Sequence, residues 1–319
     1  MRTLKILIGV FVLALLLACC TTIGTILHKY DYQELRPAQT TYGPGVILAV
    51  REKGDAIMAD MVCKVEEALG SPAPQPTESP GPETDFIKDL SGTVAIDADL
   101  LNRIKADANL KLVENVEFHF ANVHFFEIPD TAITANSGKI TPACLKAISY
   151  RLQQKAIVAV VKRVLKADVI GVVTFQAKAS VDAQAPQQLL NGVAAKLGME
   201  VDASSANTIK GAGLYWGIKV EPNLVPLFPG LPDAAGGLLA KAGEVEADLV
   251  ESVSLPAAQR LAAELLGRPA TDKSEIRTLL RASSTNQQTK YYSGLVKARL
   301  EEQAKAKLPK YIMIAPPAK

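Results

Sequence analysis

Apolar and polar positions repeat with two different periods along this chain, two residues in its middle and between three and four towards its end. Val116, Phe118 and Phe120 alternate with Glu117 and His119, as in a strand with one buried face. The phase slips at Ala121-Asn122, after which Val123 and Phe125 form the apolar set, so a bulge is expected to keep the aromatics on the core side. Ile157 to Leu165 and Val169 to Val181 read as central strands. The strongest alternation sets Leu214, Trp216, Ile218 and Val220 against Tyr215, Gly217, Lys219 and Glu221. Gly45 to Val50 and Ala56 to Cys63, joined by turn-forming Glu52-Lys53-Gly54-Asp55, predict a hairpin.

Helical signals sit between and after these strands. Thr141 as cap and Pro142 in the first turn announce a helix running to Ala156, with Cys144 in its first turn. A shorter helix is expected from Pro186 to Leu197, stopped by Gly198. Beyond Pro222 the pattern becomes helical. Ala258, Leu261, Ala262 and Leu265 share a face after Ser254 and Pro256, and Asp272 to Glu275 has capping-box spacing. Tyr292, Leu295, Val296, Leu300 and Ala304 line a stripe over 287–308. The expected fold class is α+β: a mainly antiparallel sheet with flanking helices, followed by a helical C-terminal region.

The N-terminal pattern is of another kind. Arg2 and Lys5 precede an uncharged run from Ile6 to Ala18 that ends in Leu16-Leu17-Ala18-Cys19. A positive end, a short apolar core and small residues near a cleavage point are the layout of a secretion signal. Thirteen residues are too few to cross the hydrocarbon layer, which needs about 20. The segment resembles the signal of bacterial lipoproteins, with Leu16, Ala18 and Cys19 at the positions of that pattern. The resemblance implies that the Cys19 thiol takes a diacylglycerol, that residues 1–18 are removed and that the new amino terminus is acylated. Cys20 stands where the family's inner-membrane retention signal places an aspartate, which favours the outer membrane. A second reading stays open: no charge occurs from Ile6 to Leu27, long enough for an uncleaved helical anchor, although Thr21, Thr22 and Gly24 weaken its end.

Removing residues 1–18 leaves 33 basic against 33 acidic residues, a neutral mature chain. Neutrality and the lack of a basic run interleaved with aromatics exclude nucleic acid from the expected partners. In an oxidising envelope Cys63 and Cys144 form either a disulfide across a long loop or two buried free thiols. With 48% apolar residues the chain is ample for a core. Its clearest break is Ser71 to Pro82, five prolines in twelve residues, an extended semi-rigid loop. The predicted organisation is a signal at 1–18, a tether and hairpin at 19–70, the proline-rich loop at 71–85, an α+β core at 86–225 and a mainly helical region at 226–319.

Tyr42-Gly-Pro-Gly45, Thr141-Pro-Ala-Cys144, Val164-Leu-Lys-Ala-Asp168 and Gly213-Leu-Tyr-Trp-Gly217 together resemble a group of bacterial envelope lipoproteins over roughly residues 1 to 225. That resemblance brings no reaction or ligand, and candidate chemistry is thin elsewhere. His119 and His124, five apart on a strand, point to opposite faces unless the bulge intervenes, and Glu117 shares a face with His119. No GxSxG elbow is present. Gly211, Gly213 and Gly217 run into a strand where a dinucleotide loop would open a helix. Ser137-Gly138-Lys139 lacks the upstream glycine of a phosphate loop and reads as a turn. Asp97 with Asp99, and Glu244 with Glu246, read as surface charges.

No catalytic residue, cofactor or metal is therefore expected. The leading expectation is a membrane-anchored, noncatalytic binding or structural lipoprotein, its lipid in the membrane and its body on an envelope protein, glycan or lipid. The alternative is an envelope hydrolase with an unrecognised active site.

Overall fold

The computed structural model describes residues 22–53, 56–79, 84–176, 185–242 and 247–314. The first elements are α1 (Ile23–Lys29), β1 (Gln33–Gln39), β2 (Ile47–Lys53), β3 (Ala56–Cys63), α2 (Val65–Leu69), β4 (Thr77–Glu78), α3 (Thr84–Leu90), β5 (Thr93–Ala95) and α4 (Ala98–Lys105). Next come β6 (Val113–Glu127), α5 (Asp130–Asn136), α6 (Pro142–Gln153), β7 (Ile157–Phe175), α7 (Ala185–Leu197), β8 (Glu200–Val201) and β9 (Thr208–Glu221). The helical region holds α8 (Leu231–Ala242), α9 (Ala247–Ser252), α10 (Leu255–Leu265), α11 (Lys273–Arg281) and α12 (Thr285–Gln303), and β10 (Tyr311–Ile314) follows it.

The fold is α+β. Its ten-stranded sheet has the order β4-β6-β7-β2-β3-β10-β1-β9-β8, with β5 also on β6 and β7 also on β9. The expected hairpin is β2–β3, antiparallel from Ile47 opposite Cys63 to Lys53 opposite Ala56. β2 pairs antiparallel with β7 as well, Ile47 facing Val160 and Val50 facing Ile157. The sheet is mixed because β10 joins β3 in parallel, Met313 beside Met58. Tyr311-Ile-Met-Ile alternates half-buried with buried positions, a strand pattern only four residues long.

One continuous strand of 19 residues, β7, stands where the sequence predicts two. Lys166 and Asp168 do not interrupt it, because each polar end has a local partner. The Lys166 ammonium lies 5.6 Å from the Phe126 ring centre, and the Asp168 carboxylate accepts hydrogen bonds from neighbouring strands. The phase slip in β6 is also real. Asn122 adopts φ +50°, and burial moves from Val116 and Phe118 before it to Phe125 after it.

By contacts the chain divides into two compact units, each built from separated stretches: Met1–Glu34, Gly81–Val123 and Ala167–Leu214 in the first, and Leu35–Pro80, His124–Lys166 and Tyr215–Lys319 in the second. β1, β6, β7 and β9 each supply residues to both. In the first unit Phe86, Phe118, Leu190, Val193 and Ile209 are fully or almost fully buried. In the second, a large cluster joins Ile47, Cys63, Cys144, Ile148 and Val160 to Phe228, Tyr291, Leu295 and Leu300 of the helical region. Another gathers Leu48, Val50, Val161, Val164, Ile218 and Ile312. At roughly 25 cal/mol per Å² of apolar area, these clusters are the main stabilising term of the second unit.

Local signals explain the helix starts. The Thr141 hydroxyl accepts from the Cys144 N–H with Pro142 in the first turn, Asp97 caps α4, and Ser284 with Gln287 makes a reciprocal box on α12. Asp272 caps α11 by accepting from the N–H groups of Ser274 and Glu275, but the Glu275 carboxylate turns back to Thr271, so the box is not reciprocal. Gly45 has φ +84°, and a Cβ there would lie 2.7 Å from the Val65 side chain and 2.8 Å from Ile128. Both the backbone and the space therefore require glycine.

Candidate functional site

Cys63, at the end of β3, and Cys144, in the first turn of α6, form a disulfide with a Cα separation of 5.5 Å. Both lie in the large apolar cluster of the second unit and are almost fully buried. Closing a loop of 81 residues stabilises the folded chain by about 4 to 5 kcal/mol in the chain-entropy account. Here the bond fixes the Thr141 cap and the helix it starts against the β2–β3 hairpin. Cys19 and Cys20 lie outside the described residues, as do Glu244 and Glu246.

The histidines are not assembled into a centre. His124 Nδ1 lies 2.6 Å from a Glu78 oxygen, a pair that fastens β4 to β6 beside the Thr77–Glu127 and Glu78–Phe126 register. His119 is exposed opposite Thr93 of β5, and Glu117 accepts instead from the Asn115 amide. Among the described residues, no group of three or more His, Cys, Asp or Glu is placed to hold a metal ion. Asp97 caps its helix and Asp99 pairs with Arg103, so these acids have structural partners. Ser137–Lys139 is a short 3-10 turn whose lysine donates to Asn136. A shallow hollow lined by Leu266, Arg268, Leu279, Ala282, Ser283 and Gln287 offers little free chemistry, because Ser283 donates to the Leu279 carbonyl and Gln287 serves the Ser284 cap.

Four polar side chains make contacts that have no motif in the sequence. In the first unit, one Asp168 oxygen accepts from the Asn122 amide at 2.6 Å and the other from the Gly213 N–H at 2.6 Å. Asn122 and Gly213 both have positive φ, so one carboxylate pins the irregular backbone of the strand on either side. In the second unit, the Gln303 amide accepts from the Val158 N–H and donates to the Val158 and Pro222 carbonyls. One turn earlier, Arg299 donates to the carbonyls of Lys155 and Ala156, and burial pulls its guanidinium pKa below the ordinary value. Asp60 stands between Arg51 at 2.8 Å and Arg151 at 3.3 Å, tying α6 to the hairpin. A lone acid inside an apolar run is the one sequence sign that Asp168 gives.

Among the described residues, no helix is long and apolar enough to cross a membrane. No family model and no curated protein matches the chain. Among solved structures, a bacterial gasdermin from Bradyrhizobium tropiciagri is similar at 12% identity over 61% of this chain and 83% of its own, with a TM-score of 0.32.

Proposed function

We propose that this chain is an exported envelope protein, held to a membrane by lipid on Cys19, the outer membrane being favoured, and that its α+β body is a noncatalytic binding or structural module. The observation that carries the reading is the Cys63–Cys144 disulfide in the core of the second unit. Such bonds form and persist in oxidising compartments and are rare in the cytosol. It therefore agrees with the export layout of residues 1–18. Two or more acyl chains, at about 0.8 kcal/mol per buried methylene, suffice for stable attachment without a spanning helix.

The test is metabolic labelling with radioactive palmitate together with mass spectrometry of the mature terminus. The wild-type chain is expected to take up label and to begin at a modified Cys19, and Cys19→Ala to remain unlabelled. An intact Met1, or equal label in both proteins, overturns the anchor. Partners are sought by crosslinking in cells, where recovery of one envelope component by the wild-type chain supports a binding role.

A further inference from the structure

The neutral balance of the mature chain conceals a segregation of charge. Without residues 1–18, the first unit carries eight Lys and Arg against fourteen Asp and Glu, and the second twenty-five against nineteen. Within the second unit the excess is concentrated. Between Asp130 and Asp168 there are seven basic residues and no acidic one.

Some of these cations have carboxylate partners: Lys162 lies 2.8 Å from Asp130, Arg163 pairs with Glu127, and Arg151 with Asp60. Lys146 and Lys155 are exposed and have no carboxylate partner among the described residues. Between them, Tyr150 is 55% exposed, and the Arg151 guanidinium lies 5.9 Å from its ring centre. Lys146 and Tyr150 are one turn apart on the outward side of α6. The inward side, Cys144, Leu145, Ile148 and Leu152, is buried and bound through the disulfide. Lys146 and Tyr150 therefore stand on a rigid platform, and Lys155 follows its C-terminal end with its carbonyl held by Arg299.

We infer that the outward side of α6, with Lys146 and Tyr150, together with Lys155 in the turn just beyond the helix's end, docks on an anionic lipid surface. This inference rests on the lipid-anchor reading, which keeps a bilayer at high effective concentration beside the protein. A row of lysines alone would be a solvated face. The added feature is a protruding tyrosine, whose apolar ring and polar tip suit the headgroup region and are left half in water here. Each Lys or Arg near an anionic bilayer surface raises its occupancy by about fivefold, an effect that falls off within a Debye length.

The experiment uses the full acylated chain in vesicles of phosphatidylcholine alone and in vesicles also containing phosphatidylglycerol. Flotation with the neutral vesicles reads the anchor, and lysine acetylation followed by mass spectrometry reads the docking. Lys146 and Lys155 are expected to react about fivefold or more slowly on the anionic vesicles at low salt, with Lys290 and Lys297 of α12 unchanged and the difference removed by high salt. Tyr150→Glu keeps both reporter lysines and is expected to abolish their protection.

Flotation with both vesicles and equal labelling on both keeps the anchor and overturns the docking. Slower labelling on anionic vesicles without flotation on neutral ones removes the anchor and keeps the docking. Protection that follows protein density instead of lipid charge means that the face meets the acidic unit of a second copy, which also overturns the proposal. So does equal protection of the α12 lysines.

Discussion

The first unit is acidic and held at its strand irregularities by polar pins, whereas the second is basic and held by a disulfide and a larger apolar cluster. Four strands, β1, β6, β7 and β9, supply both, so the two units share part of one sheet and differ in what is added to it. α6 brings Cys144 and Ile148 to the second unit, the turn before α8 brings Phe228, and α12 brings Tyr291, Leu295 and Leu300. In the first, Asp168 and the Lys29–Asp89–Tyr30 contact accompany a core around Phe86 and Phe118. Apolar burial is non-directional and tolerates exchange of similar shapes, while a carboxylate with two donors fixes one geometry. The second unit is therefore expected to resist denaturation, and the first to hold its register through few side chains.

The largest expected effect tests the covalent side of that contrast. Replacing Cys63 and Cys144 together by alanine should lower stability by about 4 to 5 kcal/mol, measured by denaturant unfolding. Hydrogen exchange should then show β3 and α6 losing protection while α4 and α7 keep theirs. Equal loss in both units would mean that they unfold as one and would remove the contrast. Gln303→Leu comes next. It leaves the Val158 N–H and two carbonyls without their partner, a cost of roughly 2 to 4 kcal/mol, again confined to the second unit.

The polar counterpart lies in the first unit. Asp168→Ala should cost roughly 2 to 3 kcal/mol and release the Gly213 amide to exchange, because that N–H and the Asn122 amide both lose an ionised acceptor. An unchanged Gly213 exchange rate would show that the carboxylate is not what holds the backbone there. The cost should appear in α4 and α7 before it appears in α6.

How much of this could be read beforehand follows from the range of each interaction. The alternation of Leu214, Trp216 and Ile218, the Thr141-Pro142 start and the slip at Asn122 are local, and each corresponds to an element of the structure. Long-range pairings leave no such trace. Asp168 looks like an interruption between two strands until Asn122 and Gly213 are beside it, and Tyr311–Ile314 is too short to announce a strand without β3. Gln303 sits inside a helical pattern where a polar residue ordinarily faces water, and nothing nearby in sequence indicates the Val158 backbone, 145 residues away. Whole-chain composition misled in one respect, since 33 charges of each sign average out two units of opposite balance. Of the candidate site, only Cys63 and Cys144 were legible, because scattered surface lysines follow no spacing rule.

The smallest expected effect sharpens the contrast from both ends of the pH scale. In the first unit the Asp89 carboxyl is held below the usual carboxylate value by the Lys29 ammonium and then the Tyr30 hydroxyl, and Asp202 by the Ser204 N–H and hydroxyl. A lowered folded pKa contributes stability above the ordinary value of 3.8 and loses it as pH falls below that, so acid should loosen this unit first. These groups are exposed, so the effect is modest and is expected to shrink in high salt. In the second unit burial pushes the phenols of Tyr42, Tyr215 and Tyr291 above their usual 10, so their contribution is complete below pH 10 and is lost as pH rises through the raised values. Alkali should also weaken the Lys29 contact, whose ammonium Asp89 holds charged above its ordinary value, but that contact is a surface pair, whereas Tyr291 donates from the buried core to the Ala258 carbonyl. Hydrogen exchange across the two extremes should therefore open α1 and β8 first in acid and α10 and α12 first in alkali. The same order at both ends would mean that unequal core strength, and not the placement of charge and phenol, decides which unit yields.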